Sequence, residues 1–286
     1  MRQAMIFAAG LGTRLKPLTD TMPKALVPVG GRPLLDIVVS RLLATGLYDR
    51  FIINVHHFPR QIIDYVCTRD YASLVMFSDE SSELLETGGG LKKAAPLFTT
   101  EEPVLIHNVD ILDNVNYDWF SRQHQADEDA VLLVSRRKTK RYLLFDNAMR
   151  LMGWINIETG EVKSPFPWLR EAEITGGLSP QPLPAREGSS MTGSTSVVRV
   201  TTPLPHREGL GGESVLYAFA FSGIHSFSPR LFKLMDRFPA RFGIMDFYLS
   251  VCHRARIVGC LKDDLRLLDV GKLDSLGEAE KFLLNF

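Results

Sequence analysis

Disulfide chemistry has little to work with in this chain. Cys67, Cys252 and Cys260 are odd in number and far apart, which excludes a disulfide framework and metal-finger spacing and leaves small buried hydrophobes as their reading. An excess of charge of one sign is also missing. The 33 Lys and Arg residues offset 33 Asp and Glu, for a formal net charge of +0. No global field therefore recruits nucleic acid or an anionic membrane. Long hydrophobic runs are lacking as well: Ala4 to Ala9, among the longest, is far too short to cross a bilayer. The first residues carry one basic side chain, Arg2, and then enter a glycine loop, which is not the pattern of a signal peptide. Together these absences predict a cytoplasmic protein with neither membrane nor nucleic acid as partner.

What is present is ordinary globular composition. Of 286 residues, 45% are hydrophobic and 23% charged, enough to bury a core without covalent staples. Short apolar runs alternate with helical spacing. Gln3–Ala9, Phe51–Val55, Leu74–Phe77, Pro103–Asn108 and Ala130–Ser135 read as strands, and Leu34–Leu43, Pro59–Tyr71, Leu91–Leu97 and Asn116–Gln125 as helices. Tyr142–Phe145 and Leu151–Ile157 read as a hairpin turned by Asp146-Asn147. Strand and helix patterns return in Tyr217–Ile224 and in the segments from Phe247 to Leu284. The alternation predicts an α/β fold with a mostly parallel sheet and helices on both faces.

One stretch breaks the pattern. Between Trp168 and Ser214 the apolar periodicity disappears, and Pro182-Leu183-Pro184-Ala185-Arg186-Glu187-Gly188 recurs as Pro203-Leu204-Pro205-His206-Arg207-Glu208-Gly209. Two polar copies do not make a solenoid. A single domain over residues 1–286 interrupted by a flexible Pro/Gly-rich surface insertion at 168–214 is the expectation.

The chemistry concentrates at loops that follow strands. Ala8-Ala9-Gly10-Leu11-Gly12-Thr13-Arg14 empties a buried strand into a loop with two glycines, a hydroxyl and an arginine, suited to phosphate oxygens. A dinucleotide fingerprint would need a third glycine where Leu15 stands, and no Gly-Lys-Ser/Thr ends the loop as a P-loop would require. Lys24 follows in Pro23-Lys24-Ala25-Leu26-Val27-Pro28-Val29, and Pro33-Leu34 opens the next helix. Taken together these segments resemble the signature of the sugar-1-phosphate nucleotidyltransferases, and the resemblance extends along the chain apart from the 168–214 segment.

That resemblance implies a Rossmann-like fold of the GT-A type with a mixed, mostly parallel sheet, and a Mg²⁺-dependent reaction that joins a nucleoside triphosphate to a sugar 1-phosphate and releases pyrophosphate. It implies roles as well. Arg14 and Lys24 are the expected catalytic cations. Ala8, Gly10, Gly12 and Thr13 hold the nucleotide, as do Thr87 and Gly88 in the second glycine motif, Leu85-Glu86-Thr87-Gly88-Gly89-Gly90. Asp110 and Asp269, each at the end of an apolar run, match the metal ligands; Asp113 reads instead as a cap or turn residue. His56 and His57 also follow a strand but read as structural. The family's lysine for the sugar phosphate has no counterpart motif here; the nearest basic cluster, Arg136 to Arg141, reads equally well as a solvated turn. The ending at Phe286 implies no hexapeptide-repeat acyltransferase domain. The second glycine motif and Asp269-Val270-Gly271 look most like N-acetylmuramate 1-phosphate uridylyltransferases of cell-wall nucleotide-sugar biosynthesis, with mannose 1-phosphate guanylyltransferases close behind. A non-catalytic nucleotide sensor would not need Arg14, Lys24, Asp110 and Asp269 together. A glycosyltransferase would carry Asp-x-Asp, whereas Asp110 and Asp113 are spaced too widely.

Overall fold

The computed structural model describes residues 2–171, 173–182, 194–201 and 214–284. They form two compact units, Met1–Gln125 with Gly223–Phe247 and Asp264–Phe286, and Ala126–Ser222 with Tyr248–Asp263.

The first unit is built on parallel strands. Arg2–Phe7 lies between Val104–Asn108 and Tyr48–Val55, and Val75–Asp79 follows beyond Tyr48–Val55, all parallel. Residues 224–227 of the long strand Ser214–Phe227 add an antiparallel neighbour to Val104–Asn108. The sheet is thus mostly parallel, as the sequence pattern predicts, and mixed, as the family resemblance implies. Its central strands are buried nearly throughout, which is why they read as continuous apolar runs rather than alternating ones. Leu34–Leu43, Pro59–Cys67 and Glu86–Ala94 form the crossover helices. Leu34–Leu43 buries Leu34, Leu35, Ile37, Val38, Val39 and Leu42, a wide apolar stripe at helical spacing.

Strand order decides where a ligand can sit. From Arg2–Phe7 the chain moves outward to one side through the next two strands, then returns to the other side with Val104–Asn108. The crevice at such a reversal, beyond the carboxyl ends of the two flanking strands, is the usual ligand site of open α/β sheets. Register places Phe7 abreast of both Asn54 and Asn108. The loops starting at Ala8 and Val109 therefore leave the sheet side by side. A short antiparallel pair, Ile111–Asp113 with Leu267–Asp269, brings the C-terminal segment to the same edge.

The second unit is mainly antiparallel. Arg141–Phe145 and Leu151–Asn156 pair as the expected hairpin, with Val162–Lys163 beyond them. Asp146 closes the turn by accepting from the Ala148 and Arg150 N–H groups at 2.9 and 2.8 Å. Ala130–Ser135 pairs in parallel with Ile257–Leu261. Within 168–214, Glu173–Pro182 and Ser194–Thr201 pair antiparallel, and the latter pairs with residues 214–217 of the long strand. Apart from Pro182, the two Pro-Leu-Pro copies lie outside the described residues. Leu169 is fully buried in a cluster with Tyr142, Leu144, Ile155, Leu216 and Ala218, and Trp168 packs against it. The apolar core therefore extends into the start of the segment whose periodicity fades. The pattern is invisible there because the helix Pro167–Arg170 is a single turn, too short to show a period.

Candidate active site

A cavity of about 410 Å³ opens at the strand-order reversal. Its wall takes Ala8 and Gly10 from the first glycine loop, Lys24 from the motif after it, Thr87 from the second glycine motif and Asp110 from beyond Val104–Asn108. Five of the ten residues singled out in the sequence thus meet in one place. Asn54, Glu80 and Asn108 join them there. The volume is in the range of small-molecule sites.

The two expected cations each face one of the two expected metal ligands. Lys24 Nζ pairs with Asp110 Oδ2, both groups largely buried. Arg14 Nη2 lies 3.8 Å from Asp269 Oδ2, and both side chains are about half exposed. The two pairs are joined through the backbone: Val270 N–H donates to the Asp110 carbonyl at 2.8 Å. The arrangement alternates charge, with Lys24 and Asp110 in the cavity wall and Arg14 and Asp269 one backbone hydrogen bond away, and it suits a ligand that carries phosphates. Gly271 leaves the space for it, since a Cβ there would lie 2.5 Å from both Arg14 Nη2 and Asp269 Oδ1.

The first glycine loop is shaped by Gly12. Its φ of +64° is left-handed, and its carbonyl accepts from Leu15 N–H at 2.8 Å and from the Thr19 hydroxyl at 2.8 Å. Thr13 and Arg14 then begin a single 3-10 turn, both exposed. Gly10 has no atom within 4 Å of a built Cβ and leaves the cavity open on that side. Ala8 N–H is already taken, since it donates to Asn54 Oδ1 at 2.7 Å. Only the Ala8 carbonyl remains for a ligand.

The second glycine motif packs tightly. Helix Glu86–Ala94 starts earlier than the apolar spacing suggests, because Glu86 and Thr87 open it and Gly88, Gly89 and Gly90 follow, none of which carries apolar periodicity. Gly88 and Gly89 N–H both donate to the Phe242 carbonyl, at 2.9 and 3.1 Å, and a Cβ on Gly88 would run into the Phe242 ring. Gly88 is thus engaged with the 240–243 segment and is not part of the cavity wall. Thr87 lines the cavity, while its hydroxyl accepts from Ile244 N–H at 2.9 Å, so it caps the start of the helix Ile244–Val251 rather than its own.

Asn54, Glu80 and Asn108 were not singled out from the sequence. A polar residue closing an apolar strand was the available signal, the same one that marked Asp110. His56 and His57 are held by backbone carbonyls, of Glu80 at 2.7 Å and Thr19 at 3.0 Å. Asp113 accepts from Val115 N–H as a turn residue does, at 2.8 Å, and also joins a buried group. His107 Nε2 lies 3.2 Å from its Oδ2, Tyr117 OH donates to it at 2.9 Å, and Arg41 Nη1 pairs with it at 3.1 Å. Burial opposes ionisation of Asp113, but the His107 hydrogen bond and the charges of His107 and Arg41 hold its carboxyl below the usual range. In the basic cluster of the second unit, Arg136 pairs with Asp263 at 2.7 Å and Lys140 with Glu158 at 2.8 Å.

Residues 3–142 match the nucleotidyl transferase family. Over 110 residues the chain is 43% identical to an N-acetylmuramate alpha-1-phosphate uridylyltransferase of Caulobacter vibrioides, covering 37% of this chain and 45% of that protein. Over 145 residues it is 30% identical to a mannose-1-phosphate guanyltransferase of Emericella nidulans, covering 49% of this chain and 39% of the other. The match therefore spans less than half the length of these curated relatives. Among solved structures, the inositol-1-phosphate CTP transferase from T. maritima superposes with a TM-score of 0.67 at 13% identity, covering 99% of this chain and 95% of that one. HddC from Yersinia pseudotuberculosis complexed with GMP-PN superposes at 0.59 and 21%, covering 99% and 100%. At these identities the likeness carries the fold. No helix among the described residues is long and apolar enough to cross a membrane.

Proposed function

We propose that this nucleotidyl transferase domain joins a nucleoside triphosphate to a sugar 1-phosphate and releases pyrophosphate, with UTP and N-acetylmuramate 1-phosphate as the pair. The observation that carries the reading is the Lys24–Asp110 pair in the wall of the cavity at the strand-order reversal, with Arg14 and Asp269 beside it.

Nucleotidyl transfer asks little covalent chemistry of a protein; it needs in-line placement and neutralised charge. An oxygen of the sugar phosphate forms the new bond to the α-phosphorus, and the bond from that phosphorus to the oxygen bridging the β-phosphorus breaks. Both electrons of the broken bond leave with pyrophosphate. The phosphate monoester is already a nucleophile near neutral pH, so no serine, cysteine or general base is required. Lys24 exchanges its carboxylate partner for a phosphate oxygen, and Arg14 offsets the charge that develops on the departing pyrophosphate. Gly10, Gly12 and Thr13 leave the loop open to the triphosphate.

Asp110 and Asp269 offer hard carboxylate oxygens at neighbouring strand ends, a donor set that fits Mg²⁺ completed by phosphate and water. When bound there, Mg²⁺ would supply charge neutralisation to the phosphates of both substrates. A cytoplasmic location follows from the need for a nucleoside triphosphate. The mannose-1-phosphate guanyltransferase relatives support GTP with mannose 1-phosphate as the second reading. The test crosses UTP and GTP with N-acetylmuramate 1-phosphate and mannose 1-phosphate. Product in the UTP and N-acetylmuramate 1-phosphate well alone supports the first pair, and product in the GTP and mannose well alone replaces it with the second.

A further inference from the structure

A fully buried carboxylate in the wall of this cavity takes no part in the transfer just described. Glu80 follows the strand Val75–Asp79 and is 0% exposed. Its Oε1 accepts from Asn54 Nδ2 at 2.7 Å, and its Oε2 accepts from Leu85 N–H at 3.2 Å. Asn54 in turn accepts from Ala8 N–H at 2.7 Å. One side chain thus ties the base of the first glycine loop to the start of the helix that carries the second glycine motif. The space for it comes from Gly90: a Cβ there would stand 2.6 Å from Glu80 Oε1 and 3.0 Å from Asn54 Nδ2.

The burial is not favourable in itself. It pushes the Glu80 carboxyl above its usual range, and the bonds from Asn54 and Leu85 N–H oppose this only in part. The folded state therefore binds the proton more readily than the unfolded chain, so ionising Glu80 subtracts stability as pH rises through its titration. A residue kept there against that penalty serves geometry.

We propose that Glu80 is the positioning residue of the nucleotide site, fixing Ala8 through Asn54 and the Glu86–Ala94 helix start through Leu85 N–H, so that the two glycine segments grip the nucleotide at one separation. The inference rests on the reading of this cavity as a nucleoside triphosphate site. Only an acceptor at both oxygens completes the chain of bonds. In Glu80→Gln, an amide oxygen turned to Asn54 leaves its NH₂ against Leu85 N–H. Turned the other way, it forces Asn54 to flip and sets the Asn54 NH₂ against Ala8 N–H. One donor is stranded in either case. Gly90→Ala reaches the same chain from the opposite side by displacing the carboxylate.

The experiment measures UTP and GTP binding by calorimetry to the full chain without sugar phosphate, for wild type, Glu80→Gln, Gly90→Ala and the double variant, with the KM of each substrate alongside. Each single variant should weaken triphosphate binding about 10-fold and leave the sugar 1-phosphate KM within about 2-fold, as expected for one stranded buried donor on the nucleotide side. The double variant should be no worse than the weaker single, since both changes break one linkage. Wild-type binding in Glu80→Gln, multiplying effects in the double variant, or equal losses for both substrates would each overturn the proposal and leave the nucleotidyl-transfer reading standing. A wild-type chain that binds neither triphosphate overturns that reading, and the positioning role with it. If Glu80→Gln fails to fold, Gly90→Ala decides by the same split.

Discussion

Replacing Gly12 with alanine separates the shape of the loop from its contact with ligand. At φ +64° an alanine meets the left-handed penalty of about 1–2 kcal/mol. Its Cβ would also stand 2.8 Å from Thr19 Cγ2 and 3.0 Å from Lys24 Cβ, both on buried residues. Neither neighbour can retreat freely, because the Thr19 hydroxyl donates to the Gly12 carbonyl and Lys24 is paired with Asp110. Forced contacts of this kind cost about 1–3 kcal/mol. The sum is about 2–5 kcal/mol, or a fall of roughly 3–8 °C in Tm for a chain of this size. Gly10→Ala is the control. No atom lies within 4 Å of its Cβ, so its stability should change by less than about 0.5 kcal/mol. Differential scanning calorimetry and denaturant titration read the stability, and calorimetric titration with UTP reads the binding. Gly12→Ala should lose both, whereas Gly10→Ala should lose UTP affinity alone. An unchanged Tm for Gly12→Ala, or equal destabilisation by the two variants, would refute the close approach inferred for the loop.

Three further outcomes are expected. Burial, with the charge of His107 adding to it, holds His225 down to about 3, so the folded state refuses a proton that the unfolded chain accepts below the usual value near 6.5. Stability should therefore fall by about 1.4 kcal/mol per unit from this group as pH drops between those values. Asp113, held below its usual range, should add a further loss below about pH 4; a flat stability profile between pH 6 and 4 would contradict the burial of His225. Leu169→Ala should destabilise the chain by about 2–5 kcal/mol, and a loss under about 0.5 kcal/mol in urea titration would remove Leu169 from the core. Asp110→Asn and Asp269→Asn should each lower turnover by orders of magnitude at limiting Mg²⁺ with an unchanged far-UV circular dichroism spectrum; turnover at the wild-type rate takes that residue out of the site.

The fold was most legible where burial is complete. Leu34–Leu43 and Ala130–Ser135 have the same bounds in sequence pattern and structure, because an apolar stripe or run ends where burial ends. Glu86–Ala94 was misplaced by several residues because Gly88, Gly89 and Gly90 read as loop, whereas each yields space to a neighbour: Phe242, Ala240 and Glu80. Glu173–Pro182 and Ser194–Thr201 were missed because Pro, Gly, Ser and Thr make up most of the first, Ser and Thr make up half of the second, and strand pairing is a non-local contact that local composition does not encode. At the site, Ala8, Gly10, Lys24, Thr87 and Asp110 were legible through motif spacing and do line the cavity. Asn54 and Glu80, although each stands at or just past a strand end, were not, since their significance lies in the bond between their side chains rather than in any spacing along the chain. Gly88 was legible as a motif residue, but that its N–H is already engaged by the Phe242 carbonyl could be seen only in three dimensions.

The most direct measurement is pyrophosphate release by the full chain with Mg²⁺, given a nucleoside triphosphate alone, a sugar 1-phosphate alone, and both together. Release should require both substrates, and the pyrophosphate formed should equal the nucleotide-sugar found by mass spectrometry. It should collapse in Lys24→Met, which removes the ammonium from the cavity wall while keeping the length of the side chain. Triphosphate binding without release for any pair, or release that proceeds without the sugar phosphate, would contradict nucleotidyl transfer as the work of this site.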